Sequence, residues 1–241
     1  MSGHSKWHNI QATKNKADAA RGKIFTKIGR EIAVAVKLGG ADPNTNSRLY
    51  DVIQKAKRNN MPNDNIQRSI KKASGETSGD NFVSCLYEGY GTNGVAFIVE
   101  CLTDNKNRTA GDVRHLFTKC GGSLGASGSV MYNFNYKGVI VVAKKEGLEE
   151  DDVMMMALEA GADDIVTEED FYVIYSAPDA LHSTVKSLEA AGLEITSSEN
   201  EYIPINTVTL DESKMQSVEK LYDALEDLDD VQNVYHNAEL Q

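Results

Sequence analysis

In the first third of the chain, apolar residues recur every three to four positions, as on a helix face. Ile24, Ile28, Ile32 and Val36 repeat at four-residue spacing and share an arc with Phe25 and Ala35, which predicts an amphipathic helix over 23–38. Lys23, Lys27, Arg30 and Lys37 fall on the opposite arc, and Gly39-Gly40 ends the run. Asn46 is placed to cap a second helix carrying Leu49, Val52, Ile53 and Ala56, which Met61-Pro62 breaks. Asn63 is placed to cap a third, with Ile66, Ile70 and Ala73 inward and Gly75 at its end. Three short amphipathic helices of this kind make a small bundle. Residues 1–22 carry no apolar stripe and read as an arm, and ETSGDN (76–81) reads as a linker.

From residue 82 the pattern turns to strands. FVSCLYE and VAFIVECL flank GYGTNG, a hairpin signal. TAGDVRHLFTKCGG reads as a helix, with Val113, Leu116 and Phe117 on one side, and SVMYNF (129–134) as a third strand. Strand GVIVVA, a helix over 148–160, strands DIVT and FYVIYS, a helix over 179–191 and a strand in LEITSSENEYIPI then follow. That order is β-α-β-β-α-β, the ferredoxin-like pattern. NTVTL, a helix over 211–228 and VQNVYHN complete the unit that began at 82. The expected fold class is therefore multidomain α+β. A helical bundle (1–80) precedes two ferredoxin-like domains, one (134–204) inserted in the other (81–133 plus 205–241).

Charge follows these divisions. The net charge is -11, yet residues 1–80 hold 15 Lys/Arg against 7 Asp/Glu. Residues 81–133 are balanced, 134–204 hold 4 against 16, and 205–241 hold 2 against 9. A basic module aimed at a polyanion, followed by modules that polyanions avoid, explains such an asymmetry. No apolar run approaches the roughly 18 residues that cross a bilayer. The chain does not open on the apolar core of a secretory signal. Three cysteines without a CxxC spacing fit reduced thiols, and a cytoplasmic protein is expected. The oligomeric state stays open, leaning to a monomer, since no dimer seam is visible.

Catalytic constellations are not apparent. Gly89-Tyr90-Gly91-Thr92-Asn93-Gly94 matches GxGxxG, but a strand pattern follows where a dinucleotide site needs a helix, so a hairpin turn is expected. His4 and His8 have a helical metal-ligand spacing without further ligands, and no metal or cofactor is expected. There is no GxSxG and no P-loop lysine. Two polar constellations remain. Lys6, Lys14, Lys16, Arg21, Lys23, Lys27 and Arg30 surround Trp7 and His8, and Lys55, Arg58, Arg68, Lys71 and Lys72 extend the cationic surface over the other two helices. Cations neutralise phosphates and aromatics stack on bases, so these are the candidate nucleic-acid residues. The second constellation is Asp104, Asn105, Asn107, Arg108 and Thr109 at a strand end, beside a glycine-rich loop. It is either a second polar site or turn chemistry alone.

GHSKWHNIQATKNKADAARGKIFTKIGREI resembles the opening signature of the YebC family. RNNMPNDNIQRSIKKASG, YEGYGTNG, TDNKNRT and GGSLGASGSVMYNF resemble its later landmarks. The family includes bacterial proteins described as probable transcriptional regulators and the mitochondrial translational activator of cytochrome oxidase. The resemblance implies a three-domain protein that associates with nucleic acid and is not an enzyme. It leaves two partners open: DNA in the control of transcription, or RNA and the ribosome in support of translation. Ser123 stands where the family usually has Asn, and Thr92-Asn93 replaces its usual Pro-Gly. The bundle lacks the tight helix-turn-helix spacing of a major-groove reader. A basic arm and cationic bundle suit irregular RNA, where shape and stacking dominate, so the RNA reading leads and the DNA reading is its alternative.

Overall fold

The computed structural model describes residues 17–75, 81–145 and 147–241, with side chains from Arg21 onward. These residues form two compact units, one reaching to Asn135 and resuming over Ile203–Gln241, the other spanning Tyr136–Tyr202. Both are α+β in the sense expected from the sequence.

The first unit opens with helices α1 (Ala17–Gly39), α2 (Ser47–Arg58) and α3 (Asn63–Ser74). Ile28, Ile32, Ala35 and Val36 of α1 meet Leu49, Val52 and Ala56 of α2 and Ile66 and Ile70 of α3 in one buried cluster. Asn46 caps α2 as expected. Its side chain accepts from the Leu49 amide at 3.1 Å and donates to the Ala35 carbonyl at 2.9 Å and the Gly40 carbonyl at 2.8 Å, so one amide ties the end of α1 to the start of α2. Asn63 is not a cap. It is the first residue of α3, and Pro62 holds the cap position without a side-chain bond.

Strands β1 (Val83–Tyr90) and β2 (Ala96–Thr103) form the expected hairpin, joined through a short 3-10 turn at Thr92–Gly94. Asn93 sits there at φ 60°, a left-handed conformation that asparagine adopts more readily than most residues. Helix α4 (Lys106–Lys119) leads to β3 (Ser123–Leu124), which pairs with β1. Gly89 in the hairpin and Gly122 after α4 permit close approach of neighbouring backbone. A Cβ on Gly89 would meet the Ser123 carbonyl at 2.6 Å, and one on Gly122 the Tyr90 carbonyl at 2.5 Å.

Residues 129–134 depart from expectation. SVMYNF is not a strand of this sheet; Met131–Asn133 is a 3-10 turn, and Phe134 begins β4 (Phe134–Ala143). The reason is Glu88, only 3% exposed, in the middle of β1. Its carboxylate accepts from the amides of Gly128 (2.6 Å), Val130 (2.9 Å) and Met131 (2.9 Å). Backbone donors that a strand partner would have taken are drawn onto one anion.

The second unit consists of β4, α5 (Glu150–Glu159), β5 (Asp164–Thr167), β6 (Phe171–Ser176), α6 (Leu181–Ala190) and β7 (Ile195–Pro204). The sheet order β5-β6-β4-β7 is ferredoxin-like, with Ile140, Val142, Tyr172 and Ile174 packed on Val153, Ala157, Val185 and Leu188 of the helices.

The chain then returns to the first unit as β8 (Val208–Leu210), α7 (Glu212–Glu226), β9 (Val231–His236) and β10 (Ala238–Leu240). The Ile205 amide donates to the Asn133 carbonyl at 2.8 Å, fastening the outgoing and returning strands together. The first sheet has the order β3-β1-β2-β9, with Phe97, Val99 and Cys101 packed on Val113 and Phe117 of α4 and on Val218, Leu221 and Leu225 of α7. NTVTL does not join it: β8 pairs in parallel with β10, which the sequence pattern does not announce.

Candidate nucleic-acid interface

Lys23, Lys27 and Arg30 lie on the side of α1 away from the bundle core, as their spacing predicts. They do not face open solvent as a set. The end of α7 and the residues that follow read Glu226-Asp227-Leu228-Asp229-Asp230, and α1 packs its basic stripe against them. Lys23 Nζ donates to Asp227 Oδ1 and Lys27 Nζ to Glu226 Oε2, both at 2.7 Å. Arg30 donates to Asp230 Oδ1 (2.7 Å), the Asp229 carbonyl (2.6 Å) and the Leu102 carbonyl (3.0 Å), with its guanidinium 5.2 Å from the centre of the Phe82 ring. Acidic residues at a helix C-terminus oppose the helix dipole, and the cations of α1 relieve both charges at once.

Asp230 is the hub of a wider clasp. It is buried between β9 and the N-terminus of α4. Besides Arg30 it accepts from Arg108 Nη2 (2.8 Å), Thr109 Oγ1 (2.7 Å) and Thr103 Oγ1 (3.1 Å). Burial pushes the Asp230 carboxyl up, but the bonds from Arg108, Thr109 and Arg30 outweigh it and bring the pKa to about 2.

The Asp104–Thr109 loop also makes turn and capping contacts of its own. Asn105 caps α4, accepting from the Arg108 amide at 3.1 Å, and Asp104 pairs with Arg108 at 2.8 Å. Asn107 is exposed. An open hollow of about 430 Å³ here is lined by Asp104, Asp112, Asp229 and Asp230 against Arg30 and Arg108. Carboxylates outnumber guanidinium groups, so the hollow repels anions. Thr103, Arg108 and Thr109 hold Asp230, which in turn binds Arg30 of the bundle.

The remaining cations divide further. Lys55 pairs with Glu31 at 2.8 Å inside the bundle. Lys37 donates to Asn81. Arg68 and Lys71, on the outer face of α3, are exposed, as are Lys72 on α3 and Arg21 on α1; Arg58 is half-buried. Arg48 and Lys57 are also exposed, on opposite flanks of the apolar stripe of α2. Between α1 and α3 runs a groove of about 300 Å³ lined by Arg30, Lys37 and Lys72, with Phe25 and Phe82 among its walls. Two of these cations already have partners, Arg30 on Asp230 and Lys37 on Asn81. Lys6, Trp7, His8, Lys14 and Lys16 lie outside the described residues.

The architecture is that of a multidomain α+β protein with a cationic helical head. The TACO1/YebC N-terminal domain matches residues 5–76, and the TACO1/YebC second and third domain matches residues 82–238. The chain belongs to the TACO1/YebC family. It is 56% identical over 239 residues to a probable transcriptional regulatory protein of Clostridium botulinum, covering 99% of this chain and 97% of that one. A probable transcriptional regulatory protein of Acetivibrio thermocellus is 55% identical over 238 residues, with 98% of each chain covered. The crystal structure of a conserved hypothetical protein from Aquifex aeolicus superposes with a TM-score of 0.84 at 47% identity, over 93% of this chain and 92% of that one. Among the described residues no helix is long and apolar enough to cross a membrane.

Proposed function

We propose that the chain is a regulator of gene expression that binds RNA of the translation machinery, without catalysis, through the outer face of its N-terminal bundle. The names of its relatives support a regulator. The observation that carries the finer reading is the division of cations on the bundle. The α1 stripe is neutralised by the acids at and beyond the end of α7, whereas Arg68 and Lys71 are exposed on the outer face of α3 and Arg48 and Lys57 are exposed on the two flanks of α2. Irregular RNA offers phosphates and unstacked bases to such a surface, and no recognition helix for a major groove is required. The acidic unit at Tyr136–Tyr202 would be repelled by the same RNA.

Replacing Arg68 and Lys71 with Glu tests the reading by co-sedimentation with ribosomes. Loss of co-sedimentation with an unchanged circular dichroism spectrum is the expected result; full retention overturns it. The second reading, a DNA-binding transcriptional regulator, is favoured by the relatives' names. It predicts a defined promoter sequence bound at least about 10³-fold more tightly than random DNA.

A further inference from the structure

Helix α5 in the second unit is apolar on two sides. Val153 and Ala157 enter the core, with Met156 and Ala160 packed beside them. On the opposite side Met154, Met155 and Leu158 are 39%, 62% and 66% exposed. At 100° per residue these three and Asp151 form one stripe along the helix, with Glu150 on one flank and Asp152 and Glu159 on the other. Helix formation does not call for this composition. Gln, Glu and Lys have about the helix propensity of Met and Leu, and leave no apolar side chain in water. The dipole accounts for acids at 150–152 but not for Glu159, which lies at the C-terminal end where negative charge is unfavourable.

We infer that this stripe is a docking site for a Lys/Arg-rich amphipathic helix of another protein. Apolar anchors at i, i+3 or i+4 of the incoming helix would cover Met154, Met155 and Leu158. Its cations would meet the carboxylates on both flanks. Thioether side chains repack around different anchors, which suits a surface that takes one class of segment rather than one sequence. A second copy of the chain fits poorly, because two such stripes face to face bring their acids together. The patch is far smaller than the ~1,200–2,000 Å² of a stable complex, so binding is weak and reversible, with a Kd on the order of 10–100 μM.

The test uses the full chain with its methionine methyls labelled with carbon-13. The probe is a synthetic 16-residue Leu/Lys peptide with a helical apolar stripe. A Leu/Lys peptide of the same composition with the stripe scrambled is the control. The first peptide is expected to move the Met154 and Met155 methyl signals and to leave Met61 and Met215 in place. The double variant M155Q/L158Q, which keeps helix propensity, is expected to bind about tenfold or more weakly. The inference is overturned if the two methyl signals stay still, if the scrambled peptide moves them equally, or if M155Q/L158Q binds like the parent. It is also overturned if sedimentation shows a dimer that M155Q/L158Q abolishes, since the occupant would then be a second copy.

Discussion

The basic stripe of α1 and the basic outer face of α3 are built from the same residue types at three- and four-residue spacings, yet they end in different surroundings. Lys23, Lys27 and Arg30 meet carboxylates about 200 residues away in the chain, while Arg48, Lys57, Arg68 and Lys71 meet solvent. A run of cations announces an anion. It does not say whether that anion is a phosphate from another molecule or an aspartate from the same one. The difference lies in where the fold delivers a compensating charge, and here it delivers five consecutive positions of largely acidic chain to only one of the two faces.

Removing the hub breaks the comparison most severely. Asp230→Ala strands Arg30, Arg108, Thr103 and Thr109 together. It is expected to cost about 3–5 kcal/mol in urea unfolding, as for other buried ion pairs that lose one partner. If the cost is near zero, the inward cations are no more committed than the outward ones.

Acid comes next, acting first on the sheet core and then on the carboxylate that holds Arg30. His236, buried against Phe97 and Tyr222, accepts from the Ala238 amide through Nδ1 at 3.2 Å, and burial lowers its pKa to about 4. The unfolded chain binds that proton near pH 6.5 and the folded chain does not. Stability is therefore greatest above pH 6.5 and falls as pH is lowered toward 4, by about 3 kcal/mol in all. His236→Phe should remove most of that slope. Asp230 adds a second loss at lower pH. Its folded-state pKa lies below the unfolded value, so its contribution is present above about pH 4 and disappears on the way to about pH 2. Chemical denaturation across pH 2–8 resolves the two windows.

Charge reversal sharpens the contrast. Arg68→Glu with Lys71→Glu should weaken RNA binding on the order of 10–100-fold at 0.1 M salt, consistent with losing about two phosphate contacts and adding repulsion. Melting should change little. Lys23→Glu with Lys27→Glu should do the reverse. Stability should fall by about 1 kcal/mol or less, since these pairs are partly solvated, and affinity should move by less than about threefold. Equal effects of the two double variants on affinity would erase the distinction. The smallest expected signal is the salt slope itself: about four outward cations give a logarithmic slope near -3 on single-stranded RNA.

Much of this fold is legible in the sequence because its parts are local. Four-residue spacing of Ile24, Ile28, Ile32 and Val36 places α1, and a hairpin is the only structure that fits GYGTNG between two apolar runs. Asn46 declares itself as a cap. What does not show is long-range. Glu88 looks like an ordinary strand carboxylate, and nothing nearby says that it collects three amides from 128–131 and so prevents SVMYNF from pairing as a strand. Thr103, Arg108 and Thr109 look like a polar site because the residue they serve, Asp230, is over 120 residues away. One signal was available: acids crowded at the C-terminal end of a helix are unfavourable unless something basic comes to meet them.

The hydrogen bond from Ile205 to Asn133 has an architectural consequence. The chain leaves for the acidic unit and comes back through the same doorway, with both jambs nailed to each other. Both ends of the excursion belong to the first unit. Tyr136–Tyr202 could be cut out and the gap bridged by a few Gly and Ser residues, leaving a shorter protein that still carries its cationic head.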